Sequence, residues 1–506
     1  MIRVSLIAVA AFAMLGADKP STVDYRLSVA SETGGSPAVN VEIRLRGDAD
    51  GETRILLPQS ALSGLAASGA STPLPDTGHT VLRHRPGAKL TLRYRLRSEG
   101  PGPNQLAMPG AAIFALPEGR PGQPVTLRWA RVPKGWRALS DLEPGAAARA
   151  PKIADLANAV VMAGSNLQTT EHMMPGGTLL VATFGNPGDA ARLAELAAPL
   201  VSAQRAFWTD APGAFLVAAG FKVTAGHRQN LMLPADILSR SDPSDLMAQT
   251  LTRSWIPQRL GAPVASATGI MEGLAAFYAD RIRARAGLLP HGAMVSTLAM
   301  ADTRRDPGSR GVILALKWDE DIRRKSAGKL DLDDVILRMA DHYRQFPSGQ
   351  GPDAITGLVS AAWVTSRIDL RADIGRYADG PAAIPLPETM FDGCLDARVT
   401  VSPGFDPGFD AAGSFAVKTV HGVRRGGPAW SSGLRNGMIL DTWTFAAGDM
   451  TREIVLAIRP TGKRARPRTI RFWPYGDLDV ETRRLQMAVG LSDAATAACA
   501  RRIGGL

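Results

Sequence analysis

Two helix-patterned stretches, residues 245–255 and 269–278, constrain this chain more than any other part of it. In the first, Met247, Leu251 and Trp255 recur four apart as a core-facing stripe. Ser241, Asp242 and Ser244 offer N-caps, Pro243 suits the first turn, and Pro257 predicts the end of the helix. A neighbouring face carries Gln249 and Arg253, also four apart, and Glu272 follows with eighteen residues between it and Arg253. This is the spacing of H-E-x-x-H…E. In that pattern two histidines on one helix face and a later carboxylate grip Zn²⁺, and the glutamate after the first histidine is the general base. Gln249, Thr250 and Arg253 stand at those three positions, and only Glu272 keeps the residue type.

The spacing is met by the wrong chemistry. Glutamine is a poor neutral oxygen donor, and a guanidinium cannot lose its proton to become a ligand. The Thr250 hydroxyl does not ionise near neutral pH, and loss of a general base alone costs on the order of 10²- to 10⁴-fold in rate. The seven histidines, His79, His84, His172, His227, His291, His342 and His421, include no i, i+4 pair. No metal and no cofactor is therefore expected. Arg253 and Glu272 either pair across the place a cation would fill, or Glu272 sits in the first turn of its helix, held by the dipole and backbone amides.

At 506 residues the chain has length for about three domains. Apolar content of 45% with 21% charged residues describes globular material. Residues 1–17, with Arg3 before an apolar run ending in Gly16-Ala17, read as a cleaved secretory signal, which predicts a periplasmic or secreted protein. The run is too short to span a bilayer, and no other stretch is adequate. In an oxidising compartment Cys394 and Cys499 either close one disulfide or remain thiols. The net charge of +11 is spread along the sequence. That argues against nucleic acid and for an arginine-rich surface suited to acidic partners or anionic lipid headgroups.

Along the chain, Val39, Val41, Ile43 and Leu45, then Leu90, Leu92, Tyr94 and Leu96, alternate with polar residues, predicting an antiparallel β-sandwich-like domain over 24–150. A Pro/Gly/Ala-rich joint at 143–151 precedes strands 178–184 and 214–218, then helices, over 151–388. Strands return over 389–480, and 481–506 reads as a helical tail. The whole is a multidomain α+β chain.

The flanks of the degenerate motif carry a resemblance. Gln249-Thr-Leu-Thr-Arg253-Ser-Trp255-Ile-Pro-Gln-Arg259-Leu260 and Glu272-Gly273-Leu-Ala-Ala-Phe277-Tyr278 resemble the zinc helix, H-E-x-x-H-[TS]-W-x-x-x-R-L, and the third-ligand helix, S-E-G-F-x-x-Y-Y, of the glycyl aminopeptidase family. Those are thermolysin-like metallopeptidases with a β-rich N-terminal domain and a C-terminal PDZ domain. Arg310-Gly311 and residues 328–335 are similar to later helices of the family. The resemblance implies that Gly226, His227 and Asn230 line the substrate cleft, with Gly226 replacing the glutamate that would meet a substrate amine. It also puts Gly308 where an oxyanion-supporting tyrosine would stand. Residues 426–440 are similar to the PDZ core pattern, with Met438 in place of its aspartate, and Gly404, Phe405, Gly408 and Phe409 would form the loop that binds a peptide carboxylate. The implied protein is an exported, inactive metallopeptidase homologue that binds a peptide or protein. An active peptidase of unusual ligation and a structural subunit of an envelope complex are the alternatives.

Overall fold

The computed structural model describes residues 21–30, 36–71, 75–76, 78–98, 100–143, 150–227, 229–261, 268–290, 292–304, 306–346, 351–379, 382–450, 452–460 and 466–506. The expected signal segment, most of the 143–151 joint and part of the basic cluster near residue 464 lie outside them. The chain divides into two compact units, one of Met1–Met294, Arg305–Ile384 and Ala500–Leu506, the other of Val295–Arg304 and Pro385–Cys499.

The first unit begins with a strand-rich region. Strands β1 (Val23–Ala30), β2 (Ala38–Arg46), β3 (Leu62–Ser68), β4 (Lys89–Arg97) and β5 (Val125–Arg131) form one sheet in the order β5-β1-β2-β4-β3. Their alternation sends Tyr25, Leu27, Val41, Ile43, Leu92 and Tyr94 into one core, which also takes Ile55 and Leu82 from a second, four-stranded sheet. The two tyrosine hydroxyls are satisfied inside that core, Tyr25 donating to the Ala115 carbonyl and Tyr94 to that of Ile113, both at 2.8 Å. The expected antiparallel pattern breaks at one seam: β1 and β5 run parallel, because the connection between them is long enough to cross over.

A central sheet follows, with strands β6 (Leu167–Met174), β7 (Gly177–Phe184), β8 (Phe215–Phe221), β9 (Ala225–His227) and β10 (Asn230–Pro234) in the order β6-β7-β8-β10-β9. Every residue of β8 is buried, as expected for an inner strand covered on both faces. Helices follow: α1 (Pro187–Trp208) between strands, then α2 (Pro243–Leu260), α3 (Thr268–Arg285), α4 (Pro307–Lys325), α5 (Leu332–Tyr343) and α6 (Ala354–Ser366). Met247, Leu251 and Trp255 are fully buried along α2, and Trp255 stacks on Phe215 of β8 with ring centroids 5.9 Å apart.

Pro257 does not end α2. The helix runs three residues further because Ile256 and Leu260 are buried and Arg259 forms an ion pair with Asp210. That burial outweighs the hydrogen bond the proline forgoes.

In the second unit, β11 (Leu395–Phe405) pairs antiparallel with β15 (Tyr475–Met487), and β12 (Ile439–Thr444), β13 (Ile454–Arg459) and β14 (Arg468–Phe472) form a three-stranded antiparallel sheet. The tail expected to be helical from 481 is strand to Met487, since its backbone completes the ladder with β11, and only Asp493–Ile503 is helix. Cys394 and Cys499 are joined in a disulfide, with Cα atoms 5.3 Å apart. Among the described residues no helix is long and apolar enough to cross a membrane.

Candidate functional site

Charge ties α2 to α3, and close backbone approach ties α3 to α4. Asp242 caps α2, accepting from the Asp245 amide at 3.1 Å. Arg283, buried on α3, pairs with Asp242, with Asp245 at 3.3 Å and with Asp280 at 3.2 Å. On its other side α3 crosses α4 where glycine faces glycine: a Cβ at Gly273 would lie 2.4 Å from the Gly311 Cα, and one at Gly311 would lie 2.5 Å from the Gly269 carbonyl. Only bare backbone fits that crossing. It accounts physically for two of the sequence signals, Glu272-Gly273 and Arg310-Gly311.

The crossing also places Glu272. Its Oε2 is 3.7 Å from where a Gly308 Cβ would be, so the carboxylate lies beside the first turn of α4, whose N-terminal dipole favours an anion. Sequence reasoning thus chose two positions, Glu272 and Gly308, that the structure brings together. Arg253 does not join them. Arg253 and Glu272 are both exposed, and among the ion pairs of the described residues none joins them. Nor is Glu272 in the first turn of its own helix; it stands in the second.

The other positions at the motif's spacing are engaged locally. The Gln249 amide donates to Asp245 Oδ2 at 2.9 Å, one turn back, and the Thr250 hydroxyl donates to the Leu246 carbonyl at 2.7 Å. The edge strand β9 lies against this face of α2. A Cβ at Gly226 would stand 2.9 Å from Ser254 Oγ and 3.3 Å from the Thr250 carbonyl, so Ser254 fills the place where a side chain would begin. His227 is half-buried on the same strand.

Asn230 turns elsewhere. It is 1% exposed, and its amide nitrogen donates to Asp141 Oδ2 at 2.6 Å and to the Asn158 carbonyl at 2.8 Å. Burial pushes the Asp141 carboxyl up to about 6, against the opposing hydrogen bonds from Asn230 and the Val160 amide. Sequence reasoning missed Asp141, because a lone aspartate after a strand carries no sign of a partner 89 residues away.

The residues present do not fit a zinc ion. The α2 face offers an amide tied to Asp245, a hydroxyl tied to its own helix and an exposed guanidinium, with one carboxylate on α3. Among the described residues no three His, Cys, Asp or Glu side chains converge as a metal site requires.

In the second unit, the loop expected to bind a peptide carboxylate makes several hydrogen bonds of its own. Gly404 and Phe405 end β11, with Phe405 paired to Tyr475, and Phe409 is buried in the core. The Gly408 amide donates to Asp406 Oδ1 at 2.7 Å, the Asp406 amide to the Pro474 carbonyl at 2.9 Å and the Asp410 amide to the His421 carbonyl at 3.1 Å. Asp406 is itself paired with Arg424.

No family model matches the sequence, and no curated protein matches it. Solved structures do. An aminopeptidase N family protein from Idiomarina loihiensis is 13% identical, with a TM-score of 0.62 over 94% of this chain and 100% of its own. An M1 zinc metallopeptidase from Deinococcus radiodurans is 14% identical, with a TM-score of 0.48 over 73% of this chain and 95% of its own. The strand-rich region followed by a helical region is thus an aminopeptidase N-like fold, and the first of these neighbours carries that statement.

Proposed function

We propose that this chain is an exported, non-hydrolytic relative of the zinc aminopeptidases that binds a peptide or protein segment along the α2/α3 face. One observation carries the reading: the face that would hold the metal has no donor triad, and Gln249 and Thr250 already have partners within their own helix. What remains exposed there is one cation, Arg253, and one anion, Glu272, as a surface meeting the two charged ends of a short peptide would present.

We read the kinship as closest to the glycyl aminopeptidases, with the second unit PDZ-like in build. The pattern from 426 onward supports this: Ala429 and Leu434 are fully buried, and Gly433 takes φ of +91° to stop the short helix Pro428–Ser431. Met438 stands where that pattern has an aspartate because the side chain is buried in the unit's core.

The test combines elemental analysis of the purified protein, hydrolysis of alanyl and glycyl chromogenic amides, and calorimetric titration with short peptides. The expected result is no stoichiometric zinc, no turnover above buffer, and peptide binding that Arg253→Ala and Glu272→Ala weaken. Stoichiometric zinc with turnover would overturn the reading.

A further inference from the structure

The solvent face of the first sheet is more highly charged than the sequence suggests. Strand alternation puts Arg26 on β1, Arg44 on β2, and Arg93 and Arg95 on β4 on the same side, around an open depression of about 510 Å³. The register places them in adjoining rows: Arg26 opposite Glu42, Glu42 opposite Arg93, and Asn40 opposite Arg95. Glu42 is the one carboxylate lining the depression. It pairs with both Arg44 and Arg93, at 2.7 and 2.8 Å, and Asp24 pairs with Arg26 at 2.9 Å, so two carboxylates fix three guanidinium groups and leave arginine in excess on the face. Arg97 continues the row along β4, and Arg128 on β5 pairs in register with Arg26.

We infer that this depression is a docking site for an acidic peptide segment in extended conformation. Alternate residues of a strand are spaced about 6.8 Å apart, so the arginines of β4 match the side-chain repeat of an extended chain with Glu or Asp at every second position. The exposed arginines rim a hollow and not a flat face, and a single extended chain laid across it meets them together. Single-stranded nucleic acid would need bases stacked on aromatic rings, and among the described residues no aromatic side chain projects from this side of the sheet. The site is separate from the α2/α3 face and stands or falls independently of it.

The experiment uses the full chain and a fluorescently labelled peptide of about ten residues with alternating Glu and Ser, read by anisotropy. Binding is expected, weakening at least tenfold as salt rises from about 50 to about 300 mM. Arg44→Glu with Arg95→Glu should weaken it at least tenfold further while leaving the thermal unfolding midpoint within about 2 °C. Undiminished binding by the double variant, equal binding of the matching Lys/Ser peptide, or stronger binding to anionic vesicles or single-stranded oligonucleotide than to the peptide would each refute the assignment.

Discussion

Asp141 is a single carboxyl whose burial has a measurable consequence. Its folded-state value, about 6, lies above its ordinary value of 3.8, so between those limits the folded protein holds a proton that the unfolded chain releases. Its contribution is therefore fully present below about pH 4 and lost as pH rises through about 6, a swing of about 3 kcal/mol. Urea unfolding of the native protein and of Asp141→Asn at intervals from pH 4 to 7 should show a difference in stability that changes across this window and is flat above it. A constant difference would mean that the carboxyl is not the titrating group. At the same scale, Gln249, Thr250, Arg253 and Glu272 were readable as a set because their spacing is local to two helices. The Asp141–Asn230 contact was not, because only the folded sheet brings its two halves together.

Among the elements, α2 and α3 show what periodicity reveals and what it hides. The buried stripe of Met247, Leu251 and Trp255 follows from spacing alone, whereas Pro257 signals a helix end that tertiary packing overrides. Since Pro257 is exposed, Pro257→Ala should restore a backbone hydrogen bond and stabilise the protein by about 1 to 3 kcal/mol, seen as a rise in the urea midpoint. Gly273→Ala should do the reverse. Its methyl would meet the α4 backbone at about 2.3 Å, so the helices must part, at a cost of about 1 to 3 kcal/mol. The strand reaching Met487 was hidden for a related reason: β11, its partner, lies some 80 residues earlier in the chain.

For the whole molecule, the order of strands and helices was legible in the pattern of the sequence, and the gathering of charge was not. Arg93, Arg95 and Arg97 alternate plainly along one strand, yet their union with Arg26 and Arg44 depends on the order β1-β2-β4, which no local pattern states. The disulfide belongs to this scale too. Cys394 and Cys499 close a loop spanning 105 residues of the second unit, worth about 4 to 5 kcal/mol in the chain-entropy account. Cys394→Ser with Cys499→Ser should lower the unfolding midpoint of that unit, followed through tryptophan fluorescence, and leave peptide binding on the first unit intact.

The glycine crossing of α3 and α4 separates architecture from reactivity. What sets the spacing of these helices is bare backbone at Gly273 and Gly311 within an otherwise apolar contact, while Gln249, Thr250 and Arg253 stand on a different helix and take no part in that crossing. Substitutions at Gln249, Thr250 and Arg253 therefore leave the α3/α4 frame untouched, so what this scaffold can bind or transform is set separately from what holds it together.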